Sequence, residues 1–316
     1  MQFDFVTIIP DTLFLVSPGS PMWPSPANSY IIRDGKGFIL IDCGYGDHES
    51  YQEFVKFLSE NGFNIEDLKI VIFSHAHPDH MGGTANLLSS IKCRTLISGI
   101  EAPAARDPAL LEERFDIPMA KESLKFLKLR EVESFDLLEL FNIKSCPMCS
   151  MEPDEVISEG DVIQTERLNL EVIHTPGHSP GHVSLYDPDN RLLLSGDIIG
   201  EILPWYCPSA GGVIGCFESL DKIEKLSLTQ ILPSHGGVIR DTSGAIKRMR
   251  DVLLSRNEEI ISELRSQPKI LLELVDKLFR ENTRFFPGVA ITKSHLIWLE
   301  IKGKIKSDES GKYFLV

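Results

Sequence analysis

The segment Ser74-His75-Ala76-His77-Pro78-Asp79-His80 constrains this chain more than any other. It sets three imidazoles and a carboxylate within six residues, directly after the apolar run Ile70-Val71-Ile72-Phe73. That run has the β-branched content of a buried strand, so the cluster falls on the loop at the strand's C-terminal end. Imidazole suits borderline transition metals, and a carboxylate among imidazoles suits zinc, iron or manganese alike. A polar turn that happens to be rich in His is the bland alternative. Packing alone has no use for such a density of ligands.

Three later segments repeat the arrangement of a strand, a break and a ligand. His178 lies in Thr175-Pro176-Gly177-His178-Ser179, after the strand-like stretch Leu168 to Ile173. Asp197 ends Leu192-Leu193-Leu194-Ser195-Gly196-Asp197, and His235 sits in Ile231-Leu232-Pro233-Ser234-His235-Gly236-Gly237. Each adjoins a Gly or Pro that ends the strand. Four strand ends converging at one sheet edge can hold two metals.

His-x-His-x-Asp-His, then Gly-His, then Ser-Gly-Asp, then Ser-His-Gly, in this order, resembles the metallo-β-lactamase superfamily. Asp42, in Phe38-Ile39-Leu40-Ile41-Asp42-Cys43-Gly44, matches that family's opening motif, and Asn28-Ser29-Tyr30 resembles its N-terminal strand. Together the motifs cover roughly residues 5 to 240. The resemblance implies an α/β fold, a four-layer αβ/βα sandwich with metals in a groove at the sheet edges. It implies a first metal on His75, His77 and His178. A second would take Asp79, His80 and His235, with Asp197 bridging the pair. His77 stands where the oxygen-reducing di-iron branch carries a Glu, so hydrolysis is expected over redox chemistry. Two metals about 3.5–4 Å apart share one water and lower its pKa, so the expected nucleophile is a bridging hydroxide. Asp79 and Asp197 are the expected catalytic carboxylates, and Asp42 a partner orienting a ligand imidazole. Zinc is the first expectation for both ions, with iron or manganese as alternatives.

Substrate choice rests on leaving-group chemistry. These motifs supply water activation and Lewis acidity but no separate proton donor. A thiolate, from a thiol of pKa about 8.5, departs without one. A small-molecule thioester or ester is therefore the expected substrate. His174 to His182 resembles the glyoxalase-II-like and related branch, although the glutathione-binding residues of that enzyme do not map onto this tail. A metal-dependent endoribonuclease or a lactonase is the alternative, with a DNA-binding regulator the poorest fit, since a complete seven-ligand set is more than a sensor requires. Trp205, Tyr206 and His182 are candidate substrate-binding residues, the aromatics because the variable segment Ile198 to Gly215 that carries them directly follows the bridging Asp. A hydrogen-bonded structural role is the competing reading of His182 and of His174. His48 and His295 read as surface or satisfied core residues.

At 316 residues the chain holds one large domain plus an appendage. The expected division is a catalytic domain over 1–245 and a C-terminal module over 250–316. Residues 101–155 read as a helical insertion in the catalytic part, with Leu124, Phe126, Leu127, Leu129, Leu137, Leu138 and Leu140 at helical spacing. Its apolar face would cover the groove, pack internally or pair with a second copy in a homodimer. In the tail, helices are expected at Asn257–Ser266, Ile270–Arg280 and Ile291–Glu300, then a terminal hairpin, a pattern resembling a winged helix. From Arg250 onward the tail carries twelve basic and ten acidic residues, and the whole chain has a formal net charge of −14. Nucleic-acid binding needs a basic footprint, so it is disfavoured but stays open. No apolar run reaches the roughly 18 residues of a membrane span, and no signal-peptide pattern opens the chain; the expectation is a cytoplasmic protein without membrane contact. Six scattered cysteines suit reduced thiols. Cys146-Pro147-Met148-Cys149 reads as an incidental or weakly redox-active pair, against half of a structural metal site.

Overall fold

The computed structural model describes residues 3–18, 26–125, 133–143, 146–200, 204–280 and 286–316. The N-terminal half builds a seven-stranded sheet from β1 (Phe3–Ile9), β2 (Leu13–Pro18), β3 (Ser29–Asp34), β4 (Gly37–Ile41), β5 (Leu68–Phe73), β6 (Arg94–Ser98) and β7 (Glu155–Ile157), in sequential order. Pairing is antiparallel from β1 to β4 and parallel from β4 to β7. The helices connecting or following these strands are α1 (His48–Glu60), α2 (Pro78–Met81), α3 (Thr84–Ser90), α4 (Ala102–Arg106), α5 (Leu110–Arg114), α6 (Ile117–Leu124) and α7 (Leu137–Ile143). Asp47 starts α1, its carboxylate accepting the Ser50 N–H at 2.9 Å.

A second sheet of five strands follows: β8 (Val162–Gln164), β9 (Asn169–His174), β10 (Val183–Asp187), β11 (Leu192–Gly196) and β12 (Gln230–Pro233). Its order is β12-β11-β10-β9-β8, antiparallel except between β11 and β12. Helices α8 (Gly212–Ile223) and α9 (Thr242–Leu264) cover its outer face.

Side-chain alternation explains why these strands read as unbroken apolar runs. Ile39 and Ile72 point between the sheets and meet Leu170, Val172, Leu185 and Leu194. Phe38, Leu40, Val71 and Phe73 point the other way, against Phe54, Leu58 and Ala104 of the outer helices. On the second sheet Ile173, Leu193 and Ile231 face Val213, Leu220, Met249 and Leu253. The central strands β4, β10 and β11 are buried on both faces, as strands covered on two sides require, while the edge strands β1, β7 and β8 keep exposed residues. The result is an α/β sandwich of four layers, helix, sheet, sheet, helix.

The C-terminal region contains β13 (Lys269–Ile270), α10 (Leu271–Leu278), α11 (Phe286–Ile301), β14 (Ile305–Ser307) and β15 (Lys312–Leu315). The expected terminal hairpin is β14 and β15, and β13 joins it as a third strand beside β15. The helix expected from Asn257 is a correction. It is the last part of α9, which starts at Thr242 under an Asp241 cap and runs through the expected 245–250 boundary. Between Ala245 and Ser266 no Gly or Pro interrupts the helix, and Pro268 lies just beyond its end.

The described part of the insertion's apolar face packs against the chain itself. Ala120 and Leu124 of α6 pack with Val275 and Val289 of the tail, and the Phe135 and Phe286 rings lie 3.8 Å apart. Phe126, Leu127 and Leu129 lie outside the described residues. Helix α11 also meets α8, where the Ser294 hydroxyl accepts the Val213 N–H at 2.8 Å. Among the described residues no helix is long and apolar enough to cross a membrane.

Candidate metal centre

The site forms where β5, β9, β11 and β12 end. Beyond β5 the chain turns through His75 and His77 into α2, whose Pro78 occupies the first turn and which carries Asp79 and His80. Beyond β9 comes the loop bearing His178. Beyond β11 the left-handed Gly196 (φ +55) delivers Asp197, and beyond β12 lies His235. The ligand atoms fall into three overlapping triads, in each of which they lie within 4.8 Å of one another: His75, His77 and His178; His75, His80 and Asp197; Asp79, His80 and His235. All seven sequence candidates are thus brought together. Asp197 sits centrally, Oδ1 3.3 Å from His80 Nε2, and Oδ2 3.4 Å from His178 Nε2 and 3.6 Å from His235 Nε2. Asp79 Oδ2 lies 3.4 Å from His235 Nε2.

Hydrogen bonds behind the site fix which ring nitrogens are free. His178 Nδ1 donates to the Trp205 carbonyl at 2.7 Å, leaving Nε2 with a bare lone pair. The Ser74 hydroxyl gives its proton to Asp42 Oδ2 (2.8 Å), so its oxygen accepts from His75 Nδ1 (3.0 Å). His75 Nε2 is then bare as well, and the two bare nitrogens face each other at 3.1 Å. Lone pairs at that separation repel unless a cation lies among them. His80 Nδ1 donates to Asp42 Oδ2 at 2.8 Å, while His80 Nε2, Asp197 Oδ1 and His235 Nε2 are buried without a hydrogen-bond partner. Buried polar atoms ordinarily find partners. This donor set fits divalent cations in both chemistry and geometry.

The electrostatics agree. Burial, then the neighbouring imidazoles, hold His75 and His77 well below the usual histidine range, and burial lowers His178 against the pull of Asp197. These rings are neutral and ready to ligate. Burial opposes charge on His80 too, yet the carboxylates of Asp42, Asp197 and Asp79 raise it well above its ordinary value. Asp197 and Asp79 overcome burial at His235 in the same direction. Burial works against the Asp197 carboxylate, but His235, His80 and His178 outweigh it and hold the group well below the carboxylate range. Positive charge belongs among these groups.

Asp42 orients the centre as expected of it. Its backbone is left-handed (φ +59), and Oδ1 accepts the Ser74 N–H at 2.8 Å while Oδ2 takes Ser74 and His80. Asn28 Nδ2 donates to the carbonyls of Pro233 and Gly236, at 2.8 and 2.9 Å, and braces the His235 loop.

The substrate candidates divide. Trp205 is half-buried and stacks on Phe115 at 5.7 Å, and Phe115 in turn lies 4.4 Å from the His77 ring. Tyr206 is fully buried and turned away, its hydroxyl bound to His295 Nε2 and Arg256, each at 2.7 Å. It offers no wall to a substrate, because its neighbours in the 204–210 segment turn it into the interface with α9 and α11. His182 is also fully buried. Its Nε2 accepts the Asp197 N–H (2.9 Å), and Nδ1 donates to Thr175, which bonds Ser184, which donates to the Ser195 carbonyl. His182 therefore aims Asp197 rather than lining the groove. His174 Nε2 donates to the Pro180 carbonyl.

Sequence reasoning passed over Glu101. It is fully buried and accepts four donors from the loops around the site. A lone Glu after Ser98-Gly99-Ile100 gives no signal of burial, since acidic residues in loops are ordinarily solvated. The Cys146 and Cys149 thiols are free and lifted above their ordinary range by burial, and no described cysteine joins a cluster of metal-ligating groups.

A profile of the metallo-beta-lactamase superfamily matches residues 22–235. The chain belongs to the metallo-beta-lactamase superfamily. An uncharacterized protein of Aquifex aeolicus is 31% identical over 218 residues, 67% of this chain and 82% of that one. The acyl-coenzyme A thioesterases MBLAC2 of Gallus gallus and Homo sapiens are each 25% identical, over 66% of this chain and 72% of theirs. Among solved structures, the metallo-beta-lactamase family protein TTHA1429 of Thermus thermophilus superposes with a TM-score of 0.79. It is 22% identical and covers 98% of this chain and 100% of its own. That likeness reaches through the C-terminal region and concerns the fold. Members of this superfamily typically bind divalent metals, and the triads are where this chain would hold them.

Proposed function

We propose that this superfamily member is a two-metal hydrolase of thioesters, with acyl-coenzyme A derivatives as the first substrate class. The observation that carries the reading is the pair of outer triads spanned by Asp197, with bare or unpartnered donor atoms facing inward. His75, His77 and His178 would hold one ion, Asp79, His80 and His235 the other, with Asp197 between them and zinc as the first choice for both. Ions in those places would supply Lewis acidity and a water activated for attack. The protein's own residues do the rest. Ser74 and Asp42 keep His75 and His80 in the tautomers that leave Nε2 free, and the Trp205 carbonyl does the same for His178. His182 holds the Asp197 backbone so that Oδ1 faces His80 and Oδ2 lies between His178 and His235, within reach of both triads. Phe115 and Trp205 form an aromatic side to the site beside His77, suited to an apolar acyl group.

The thioester reading draws on two supports. Among the described residues of the site the polar groups are ligand candidates and their supports, none of them assigned as a separate proton donor, and a thiolate leaving group needs none. The MBLAC2 relatives carry the name acyl-coenzyme A thioesterase. The test is metal-dependent thiol release from a panel of acyl-coenzyme A and acyl-glutathione thioesters, with lactones alongside. The chelated protein and His77→Ala serve as blanks, because six native cysteines also react with thiol reagents. Release that requires metal and is lost in His77→Ala is the expected result. Protein carrying two metals that turns over lactones but no thioester would overturn the substrate assignment.

A further inference from the structure

Glu101 lies at the N-terminal edge of α4, outside every ligand triad, yet its contacts converge on the site. Oε1 accepts the Ser179 hydroxyl and the Gly181 N–H, both at 2.6 Å. Oε2 accepts the Ala76 N–H at 3.2 Å and Arg114 Nη1 at 2.9 Å. Ala76 separates His75 from His77, and Ser179 follows His178. One carboxylate thus joins the two loops that carry all three nitrogens of the first triad.

The arrangement is built to admit an acceptor only. Three of the four groups facing Glu101, the Ala76 and Gly181 N–H and Arg114 Nη1, can only donate, and at least one of them faces each carboxylate oxygen, so a side chain that also donates would meet a repelling hydrogen. A buried carboxylate is costly unless paired and fully hydrogen-bonded, and here Arg114 supplies the opposite charge. Arg114 is anchored in turn. Its Nη2 donates to the Ile100 carbonyl at 2.6 Å, and its own carbonyl accepts the Ser209 hydroxyl at 2.8 Å. That second bond reaches the segment whose Trp205 carbonyl fixes His178. Gly181 makes the approach feasible: a Cβ there would stand 2.7 Å from Ile100 Cβ and 2.9 Å from Glu101 Cγ. The second triad has supports of its own, Asp42 behind His80 and Asn28 behind the His235 loop.

We infer that Glu101 is a positioning residue for the first triad alone, setting the spacing of His75, His77 and His178 through the backbone of both loops. The inference rests on the metal reading above. It goes beyond it by assigning selective control of one of the two sites to a residue that touches no metal.

The test isolates each triad in the full-length chain and measures zinc dissociation constants by competition with a chromophoric chelator. In a His235→Ala background, where the first triad is intact, adding Glu101→Gln should weaken zinc binding roughly 10- to 100-fold, the usual effect of losing a ligand's outer hydrogen-bond partner. In a His178→Ala background, where the second triad is intact, the same substitution should change it by less than about 2-fold, since its outer partners are untouched. Ser179→Ala, which deletes one of the four donors and alters the fold least, should weaken the first triad by a smaller factor of roughly 3 to 10. It decides the matter if Glu101→Gln fails to fold. Equal weakening in both backgrounds, or none in either, would overturn the positioning role. If the unsubstituted chain binds no zinc, it is the metal reading that fails.

Discussion

Asp197 is placed by a few atoms that tolerate no substitution. Gly196 adopts φ +55, and a Cβ there would lie 2.3 Å from His182 Nε2, the atom that accepts the Asp197 N–H. His182 cannot retreat, because it is fully buried and tied to Thr175. Gly196→Ala should therefore cost about 2–3 kcal/mol in urea unfolding, from left-handed strain plus the clash. It should also displace Asp197 enough to abolish metal-dependent turnover. A variant with wild-type stability and activity would show that the turn is less constrained than these distances indicate. The same residues mark the limit of what could be read from sequence. His75, His77, Asp79, His80, His178, Asp197 and His235 were legible because ligand types recurring at strand ends have no packing use. Glu101 was not, because burial leaves no trace in a single acidic letter. Tyr206 misled because an aromatic beside Pro204-Trp205 looks the same whether it faces a groove or a helix interface.

Among the elements, α9 and α11 are joined to the 204–210 segment by one buried relay. Arg256 donates to the Tyr206 oxygen, Tyr206 donates to His295 Nε2, and His295 Nδ1 donates to Asn257 Oδ1 at 2.8 Å. Burial, aided by Arg256, lowers His295 to a pKa of about 3. An unfolded histidine titrates near 6.5, so between those values the unfolded chain binds more protons than the folded one. This contribution to stability is complete above about pH 6.5 and is lost as pH falls toward 3, with a slope of up to about 1.4 kcal/mol per pH unit. His182, also lowered to about 3, adds to the same window. In urea unfolding from pH 7 to 4, His295→Gln should be less stable than wild type at pH 7 and show a shallower decline. An unchanged slope would mean that His295 is not held neutral. The tail helices were legible at their ends, where Pro268 and the hairpin punctuate the chain. The start of α9 was not, because the hydrophobic pattern there is weak and its Asp241 cap resembles any polar turn.

For the molecule as a whole, the parallel run β4–β5–β6 and the pair β11–β12 bring C-terminal strand ends from two sheets to one edge, and the seven donors stand there. The four-layer packing makes that convergence rigid, since the ligand-bearing strands β5, β9, β11 and β12 each pack side chains into two of the core clusters. The tail closes on the insertion and on α8, so α6, α8 and α11 form one continuous body behind the aromatic side of the site. Sequence alone left the insertion free to cover the groove, pack internally or pair with another copy. In its described part Ala120 and Leu124 meet Val275 and Val289, more than a hundred positions away, and no local pattern encodes that contact.

Asp197 is proposed to lie between two metal sites made from these particular side chains. Anomalous diffraction at the zinc edge, on crystals of the full chain grown with zinc, tests it most directly. Two peaks per chain are expected, one among His75, His77 and His178 and one among Asp79, His80 and His235, with Asp197 between them. A single peak, or peaks away from these side chains in protein shown to be folded, would contradict it.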